Sequence, residues 1–370
     1  MKNKLNKKIM IIIGTRPEAI KLAPVIKELN ENPNYKLIVC ATAQHRELLD
    51  QMLKTFKIGV HFDLNLMSKN QSMVGFFQEA LWETSRIMIK TKPDMVIIQG
   101  DTSTAAAGAL ASFYNKIPVS HVEAGLRSGD MKNPFPEEVN RILTDNLSDL
   151  LFVPTKQSKM NLIKEGFTRG KIHVTGNTVV DTLKYNIKGL KNNKALLCCS
   201  MKKWDKIILV TLHRRESFGK DMKNIFAALL DIVKQNEKIL IIYPVHPNPN
   251  VQEMAYKTLR HKQIMLFEPL PYLPFLSLMN QSDLIITDSG GVQEEAPALE
   301  KFVIVARKKT ERMEGVDKGC VFLTGPSRKK IVKTANGILS TPRKFSKDCK
   351  NIYGDGKASK RIAKAIDCFF

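Results

Sequence analysis

Short apolar, β-branched runs alternate with amphipathic helical segments along the 370 residues, and this alternation constrains the fold more than any other feature. Strands are predicted in the first half at 9–13, 37–41, 95–99, 118–122 and 150–153. They are predicted in the second half at 207–212, 239–243, 264–267, 284–287 and 302–305. Intervening helices are predicted at 18–30, 72–90, 103–115, 222–235 and 273–281. Such alternation is typical of parallel sheets covered by helices on both faces.

The length and the spacing of these runs indicate two domains. A chain of 370 residues exceeds what one hydrophobic core usually organises. The strand rhythm pauses near 176–202, where we place the seam. We therefore predict an α/β fold with two Rossmann-like, doubly wound domains and a cleft between them. The first comprises 1–176 plus 355–370, because the last helical pattern has no strand of its own, and the second comprises 177–354.

Composition argues against several classes of protein. The net charge is +22, but the cations are scattered through helical patterns and no nucleic-acid-binding signature accompanies them, so they indicate a solvated surface that suits an anionic substrate. The apolar run at 9–13 is too short for a signal sequence, and no run approaches a membrane span. The six cysteines lack metal-ligand spacing and are predicted to be reduced. We expect a cytoplasmic protein without nucleic-acid partner or membrane insertion.

Acidic residues follow consecutive strands of the first domain. Asp101 follows the strand at 95–99, Glu123 ends the strand at 118–122, and Glu137-Glu138 comes next. Each has a structural alternative: Asp101 could cap a helix, and acids are favoured in a first helical turn. Because carboxyl ends of parallel strands meet at one edge, together they predict a cluster that can give and take protons. Gly14 allows a tight turn after the first strand, and Arg16 and Lys21 lie near a helix N-terminus, an anion site.

The second domain offers cations and a phosphate-binding loop. His213 and His246 each follow a predicted strand. The segment Thr287-Asp288-Ser289-Gly290-Gly291 leads from a strand into a helix, where glycine N–H groups can approach a diphosphate closely. Glu295, one turn on, could bind ribose hydroxyls; the alternative is a glycine-rich turn with a capping serine. The glycine pattern of NAD sites is absent, so NAD is not predicted as a cofactor. No metal is predicted either, because the cysteines lack metal-ligand spacing.

These segments resemble the bacterial non-hydrolysing UDP-N-acetylglucosamine 2-epimerases. The resemblance runs along nearly the whole chain and includes GTRPEAIKLAP (14–24), QGDTST (99–104), HVEAGLR (121–127), NPFPEEVNR (133–141), HRRES (213–217) and TDSGGVQEEAP (287–297). It implies a glycosyltransferase-B type fold and reversible conversion of UDP-GlcNAc to UDP-ManNAc. The implied route eliminates UDP to give 2-acetamidoglucal and then adds it back, feeding cell-envelope polysaccharide synthesis. A homodimer is the implied assembly.

The resemblance also implies roles for individual residues. The catalytic positions are Asp101, Glu123, Glu137 and His213. The substrate-binding positions are Arg16, Lys21, Phe275, Ser289, Gly290, Gly291, Glu295 and Arg312. A second, allosteric UDP-GlcNAc site is implied at Gln44, Gln71, Glu138, Arg214 and His246.

Four positions depart from the family pattern: Asn70, Ser103, Leu270 and Met313. Asn70 replaces an arginine of allosteric members, which removes a cation from any diphosphate contact there. Three alternatives stay open at this stage: a hydrolysing 2-epimerase that releases ManNAc and UDP, a 2-epimerase for another UDP-sugar, and a glycosyltransferase or sugar-nucleotide sensor on the same fold.

Overall fold

The first sheet carries seven parallel strands among the residues that the structure describes. The structure is a computed structural model that describes residues 6–44, 46–68, 71–190, 203–214, 218–340 and 344–370. The strands are β1 Lys7–Ile13, β2 Tyr35–Ala41, β3 Phe62–Asp63, β4 Met95–Gln99, β5 Val119–Val122, β6 Leu150–Val153 and β7 Ile172–Val174. Their spatial order is β3-β2-β1-β4-β5-β6-β7, so the order reverses between β1 and β4.

Helices connect these strands in sequence. They are α1 Arg16–Asn30, α2 Arg46–Phe56, α3 Met73–Thr91, α4 Ser103–Tyr114, α5 Glu137–Leu147, α6 Lys156–Lys164 and α7 Thr178–Leu190. The run Ile9 to Ile13 is fully buried, as expected for a central strand covered on both faces.

The second sheet repeats this plan with six parallel strands in the described part of the chain. They are β8 Lys206–Thr211, β9 Ile239–Pro244, β10 Ile264–Phe267, β11 Leu284–Thr287, β12 Phe302–Val305 and β13 Val321–Leu323. Their order is β10-β9-β8-β11-β12-β13, which reverses between β8 and β11. The helices are α8 Lys220–Gln235, α9 Pro249–Thr258, α10 Tyr272–Gln281, α11 Gly290–Ala298, α12 Met313–Asp317, α13 Arg328–Leu339, α14 Lys347–Lys350 and α15 Ala358–Phe369.

The chain divides into two compact units. The first is Met1–Thr182 with Gly354–Phe370, and the second is Leu183–Tyr353. The C-terminal helix α15 lies in the first unit, where it packs against α1. The carboxylate of Asp181 accepts hydrogen bonds from the backbone N–H groups of Ala358 and Ser359 at 3.1 and 2.9 Å, and one from the Ser359 hydroxyl at 2.7 Å. These bonds fix the first turn of α15.

The predicted α/β fold with doubly wound parallel sheets is confirmed. The prediction missed β3, β7 and β13, which are only two or three residues long and leave little periodicity to read. Of the cysteines, Cys40, Cys320 and Cys349 are buried and Cys368 is exposed, all as free thiols, whereas Cys198 and Cys199 lie outside the described residues. Within the described ranges, no helix combines the length and the apolar character that crossing a membrane demands.

Candidate active site

The two points where strand order reverses collect most of the predicted site residues. In open parallel sheets, ligands bind outside the carboxyl ends of the strands at such a switch point. In the first unit the loops after β1 and β4 carry Arg16 and Asp101, and β5 next to them leads into Glu123. In the second unit the loops after β8 and β11 carry His213 and Ser289.

Glu123 lies in a buried ion pair. The Lys21 ammonium nitrogen is 2.7 and 2.5 Å from the two carboxylate oxygens, and the Gln99 side-chain amide donates to Oε2 at 2.5 Å. The Glu123 backbone has a φ of +73°, a left-handed conformation that is costly for a residue with a side chain. The chain thus holds a carboxylate and an ammonium together at the end of β5. Lys21 was predicted as a substrate-binding residue and is placed against a predicted catalytic one.

Asp101 is held by Arg141, which the sequence did not mark as a site residue. The Arg141 guanidinium binds the Asp101 carboxylate with one nitrogen and Glu138 Oε2 with another at 2.8 Å. The Asn140 side chain donates to the Asp101 carbonyl at 3.0 Å. The alternative that Asp101 caps α4 is wrong, because Thr102 is the cap and its hydroxyl accepts from the Ala105 N–H. Asp101 is therefore left for another role.

Glu137 and Glu138 open α5, as the preference of acids for a first turn predicts, but their environments differ. Glu138 is buried, and Oε1 accepts from the backbone N–H groups of Ser128 and Gly129 at 2.8 and 3.1 Å. Glu137 Oε2 is buried without a hydrogen-bond partner among the described residues. A buried unpaired carboxylate oxygen in a native structure requires an explanation, such as a ligand that it serves. This favours Glu137 over Glu138 as the group that meets a substrate.

Glu18 joins the two loops of the switch point. Its carboxylate accepts from the Gly14 N–H at 3.0 Å and from the Thr102 hydroxyl at 2.8 Å. Burial raises the pKa of Glu18 to about 7, although these hydrogen bonds act in the opposite direction. No local pattern singles out Glu18 in the sequence beyond its place in the GTRPEAIKLAP segment.

Gly14 serves a purpose other than the predicted tight turn. A Cβ at this position would lie 2.0 Å from the Thr104 hydroxyl oxygen and 2.6 Å from that of Thr42. These hydroxyls are 2.9 Å apart and hydrogen-bonded to each other. Glycine is required because the loop after β2 and the first turn of α4 approach the end of β1 too closely for a side chain.

A buried histidine supports the Asp101 loop. His121 on β5 has Nδ1 2.7 Å from Asp145 Oδ1 and Nε2 2.8 Å from the Gly100 carbonyl oxygen. Both ring nitrogens face acceptors, so filling both bonds requires a proton on each nitrogen. Asp145 also binds Arg127 at 2.7 Å. This network fixes the residue that precedes Asp101.

In the second unit, the side-chain rings of His213 and His246 are stacked. Their ring centroids are 5.6 Å apart and nearly parallel, at 27°. His213 Nδ1 lies 3.0 Å from the carboxylate of the buried Asp288. The second unit thus places a predicted catalytic residue beside His246, a predicted allosteric one.

The glycine pair at the start of α11 has two different roles. A Cβ on Gly290 would lie 2.7 Å from an Arg312 guanidinium nitrogen, whereas one on Gly291 would meet nothing within 4 Å. Gly290 therefore makes room for Arg312, and Gly291 leaves its surroundings open at the helix N-terminus. Ser289 is the N-cap residue of α11, as the alternative predicts, but its side chain makes no cap hydrogen bond.

Carboxylates hold the cation at this helix end. Arg312 Nε binds Glu294 at 2.6 Å, and the same guanidinium binds Glu311. Glu295 is buried and accepts from the Tyr272 hydroxyl at 3.1 Å. Glu294 was not predicted as a site residue.

The remaining predicted residues are dispersed. Phe275 lies half-buried on α10. Gln44 accepts from the Thr104 hydroxyl at 3.2 Å, and Gln71 donates to Glu79 at 2.9 Å. The Arg214 N–H donates to Asp288 at 2.9 Å. Asn70 and residues 215–217 lie outside the described residues.

Sequence reasoning missed the supporting residues, chiefly Gln99, Arg141, Asp145 and Asp288. One signal was available for Arg141: it lies three and four positions after Glu138 and Glu137, the spacing of neighbours on a helix face. Asp288 and Asp145 carry no such signal, because their partners are 75 and 24 positions away.

Two doubly wound units with acids at one switch point and a glycine-rich anion loop at the other define a nucleotide-sugar enzyme of glycosyltransferase-B type. The family model for UDP-N-acetylglucosamine 2-epimerase matches residues 27–367. The chain belongs to this family.

Known relatives match the chain over almost its full length. The UDP-N-acetylglucosamine 2-epimerase of Escherichia coli K12 is 45% identical over 97% of this chain and 98% of its own. The Neisseria meningitidis UDP-GlcNAc 2-epimerase, solved with UDP-GlcNAc, is 42% identical with a TM-score of 0.90, covering 98% of this chain and 100% of its own. S. aureus MnaA, solved with UDP, is 43% identical with a TM-score of 0.91, covering 98% and 96%.

Proposed function

We propose that the protein interconverts UDP-N-acetylglucosamine and UDP-N-acetylmannosamine by inverting C2. The observation that carries this proposal is the different setting of three acids that follow β4 and β5: Asp101 is bound by Arg141, Glu123 is paired with Lys21, and Glu137 Oε2 is buried without a hydrogen-bond partner among the described residues. The solved relatives support the substrate class, because their ligands are UDP-GlcNAc and UDP. The first unit supplies groups that move protons, and the second supplies most of the groups that hold a diphosphate.

The chemistry dictates the order of events. The C2 proton is not acidic, because no carbonyl stands on C1, so direct abstraction is too slow. Breaking the bond between C1 and the UDP oxygen first builds positive charge on the ring, which acidifies C2. The electron pair of that bond leaves with UDP, a carboxylate takes the C2 proton, and a C1–C2 double bond forms. Re-addition with the proton delivered to the other face gives the epimer, and carboxylates in different positions suit two such transfers.

Departing UDP needs electrostatic stabilisation, since it leaves with one more negative charge than it carried as a sugar ester. Arg16, His213 and Arg312 are the cationic candidates, and Gly291 lies in the first turn of α11, where a Cβ would meet nothing within 4 Å. Fixed donors of this kind stabilise developing charge without reorganising. Phe275, Ser289, Gly290 and Glu295 complete the proposed binding positions.

Incubation with UDP-GlcNAc in D₂O tests the reaction. We expect UDP-ManNAc to form with deuterium at C2 in both sugars. Free ManNAc as the main product would instead identify a hydrolysing enzyme, and a product without deuterium would exclude the elimination route.

The rate of exchange should fall by at least about 10²-fold in each of three variants, Asp101→Asn, Glu123→Gln and Glu137→Gln. Full turnover in all three variants would overturn the assignment of the acids.

The allosteric site remains part of the proposal, with one change. Glu138 is occupied by two backbone N–H groups and Arg141, so we assign it a supporting role beneath Asp101. Gln44, Gln71, Arg214 and His246 remain the candidates. Conversion of UDP-ManNAc alone should show a lag that added UDP-GlcNAc abolishes. A linear time course without UDP-GlcNAc would exclude activation.

We propose a homodimer that forms through α3 and α4. Val74, Trp82 and Ile89 on α3 are 78%, 71% and 63% exposed, and Phe113 and Tyr114 end α4 with similar exposure. The Asn115 side chain donates to Ser85 Oγ at 2.8 Å. This hydrogen bond places the end of α4 beside the part of α3 that carries Trp82 and Ile89. Exposed apolar groups gathered in this way mark association surfaces.

Trp82→Arg should convert a dimer to a monomer in light scattering, whereas Trp204→Arg should not. A wild-type monomer would contradict the proposal.

The cytoplasmic location and the role in cell-envelope polysaccharide synthesis stay predictions. Loss of UDP-ManNAc from extracts of a strain lacking the gene would support that role.

A further inference from the structure

An internal carboxylate directs one of the two stacked histidines of the second unit. Asp288 follows β11 and is fully buried, while the His213 side chain, after β8, is 35% exposed. Asp288 accepts from the backbone N–H groups of His213 at 3.1 and 3.0 Å and of Arg214 at 2.9 Å. The His213 ring Nδ1 lies 3.0 Å from Asp288 Oδ1. One carboxylate therefore fixes both the backbone and the ring of His213.

We propose that Asp288 is a positioning residue that holds His213 as an imidazolium with its Nε2–H directed at the diphosphate of the substrate. The inference rests on the proposed epimerisation and assigns to Asp288 a role in it. Because Nδ1 faces Asp288, Nδ1 carries a proton and only Nε2 is available to a ligand. A carboxylate in this place orients the ring and stabilises its charged form.

The charge of Asp288 is maintained despite burial. Desolvation by itself raises the pKa of Asp288, but the hydrogen bond and the charge of His213, together with the two backbone N–H groups, bring it below its ordinary value. An ionised carboxylate that accepts several hydrogen bonds is the stable form here. It lies within hydrogen-bond distance of the His213 ring, where opposite charge favours the imidazolium.

His246 does not carry the positive charge that we assign to His213. Its Nδ1 accepts from the Asn248 N–H at 3.2 Å and so carries no proton. Desolvation and the neighbouring His213 lower the pKa of His246, against the pull of Asp288. We therefore assign the charge of the stacked pair to His213 rather than to His246. In the described part of this unit, the ionisable groups in contact with the His213 ring or its loop include Asp288, His246, Arg214 and Tyr243, whose hydroxyl donates to the Leu212 carbonyl.

The imidazolium acts at the bond-breaking step. When the C1–O bond breaks, its electron pair moves to the β-phosphate oxygen, and the C2 proton passes to a carboxylate of the first unit. The diphosphate gains one negative charge and His213 Nε2–H donates to it, with no proton transfer needed from the ring. Removing Asp288 should weaken this donation and lower kcat more than it raises KM, because the charge is greatest in the transition state.

Nitrogen-15 NMR of the histidine rings tests the pair without requiring turnover. In wild-type protein the His213 ring should keep both protons to a higher pH than in Asp288→Asn, because an adjacent opposite charge favours the protonated form. Asp283→Asn is the matched control. Asp283 precedes β11 and accepts from the Ile207 N–H at 2.8 Å and from Lys206 at 3.0 Å, at the opposite end of the strand. That variant should leave the His213 titration unchanged.

Kinetics supply the second readout. Asp288→Asn should lower kcat by about 10²–10⁴-fold and move the decline of kcat at high pH to lower pH. The double variant Asp288→Asn with His213→Gln should be no slower than His213→Gln alone, because Asp288 acts through His213. An additive loss, or an unmoved pH profile in a folded Asp288→Asn protein, would assign Asp288 a purely structural role and overturn the proposal.

The two proposals fail separately. If wild-type protein forms no UDP-ManNAc, the proposed function fails while the NMR titration still reports on the pair. If wild-type protein is active and its His213 titrates as in Asp288→Asn, the positioning role alone is wrong.

Discussion

Lys21 Nζ lies 2.7 and 2.5 Å from the two carboxylate oxygens of Glu123, and both side chains are almost completely buried. A buried pair of this kind gains its attraction only by giving up the hydration of both charges. Removing one partner leaves the other charge buried without this counter-ion. The pair therefore restrains the site, and its disruption is expected to lower the stability of the fold.

Lys21→Met should destabilise the first unit by about 3–5 kcal/mol, because the Glu123 carboxylate loses its counter-ion. Urea unfolding monitored by circular dichroism measures this. Lys7→Met is the control: Lys7 pairs with Asp94 at 2.9 Å, but both side chains are about one-third exposed, so the expected cost is about 0–1 kcal/mol. Equal costs for the two variants would show that burial of the Lys21 pair does not matter.

Arg141→Lys should lower kcat by about 10²-fold or more while the protein stays folded. The guanidinium contacts Asp101 and Glu138 with different nitrogens, and a single ammonium cannot reproduce that fork. Steady-state kinetics with UDP-GlcNAc measures the change. Arg86→Lys, at an exposed pair with Glu83, should keep wild-type rates. Wild-type kcat in Arg141→Lys would show that positive charge alone suffices at this position.

Glu18 should make stability fall as pH rises from about 4.5 to about 7. The folded state holds the proton up to a pKa of about 7, above the ordinary value of 4.5, so the folded form binds more protons than the unfolded form in this window. This contribution is fully present below pH 4.5 and is lost as pH rises through 7, with a total of roughly 3 kcal/mol.

Glu18→Gln should flatten that slope in urea unfolding measured at pH 5, 6, 7 and 8. The exposed Glu31, just after α1, provides the control, since Glu31→Gln should leave the slope as it is. A slope of wild-type size in Glu18→Gln would mean that another group causes it.

Asp181→Ala should release α15 from the first unit. The carboxylate satisfies two backbone N–H groups of that helix and one hydroxyl, and losing such a cap costs about 1–3 kcal/mol. Hydrogen exchange should speed up selectively in α15. Asp355→Ala removes an exposed pair with Arg361 nearby and should have little effect. Protection of α15 that does not change in Asp181→Ala would contradict this assignment.

The sequence by itself determined the alternation of strands and helices, the doubly wound class of both sheets, and the segments that carry the chemistry. These follow from local patterns: a buried parallel strand needs a continuous apolar run, and a loop at a strand's carboxyl end tolerates glycine and charge. These patterns single out residues that come soon after such runs, namely Asp101, Glu123 and Gly290.

Only the tertiary structure decided which side chains support them. Gln99 reaches Glu123 across 24 positions, Arg141 reaches Asp101 across 40, and Asp288 reaches the backbone of His213 across 75. The sheet order that brings these loops together comes from packing of the whole unit, since it sets β1 beside β4 and β8 beside β11. No periodicity along the chain encodes such pairs, because their spacing depends on every element that lies between them.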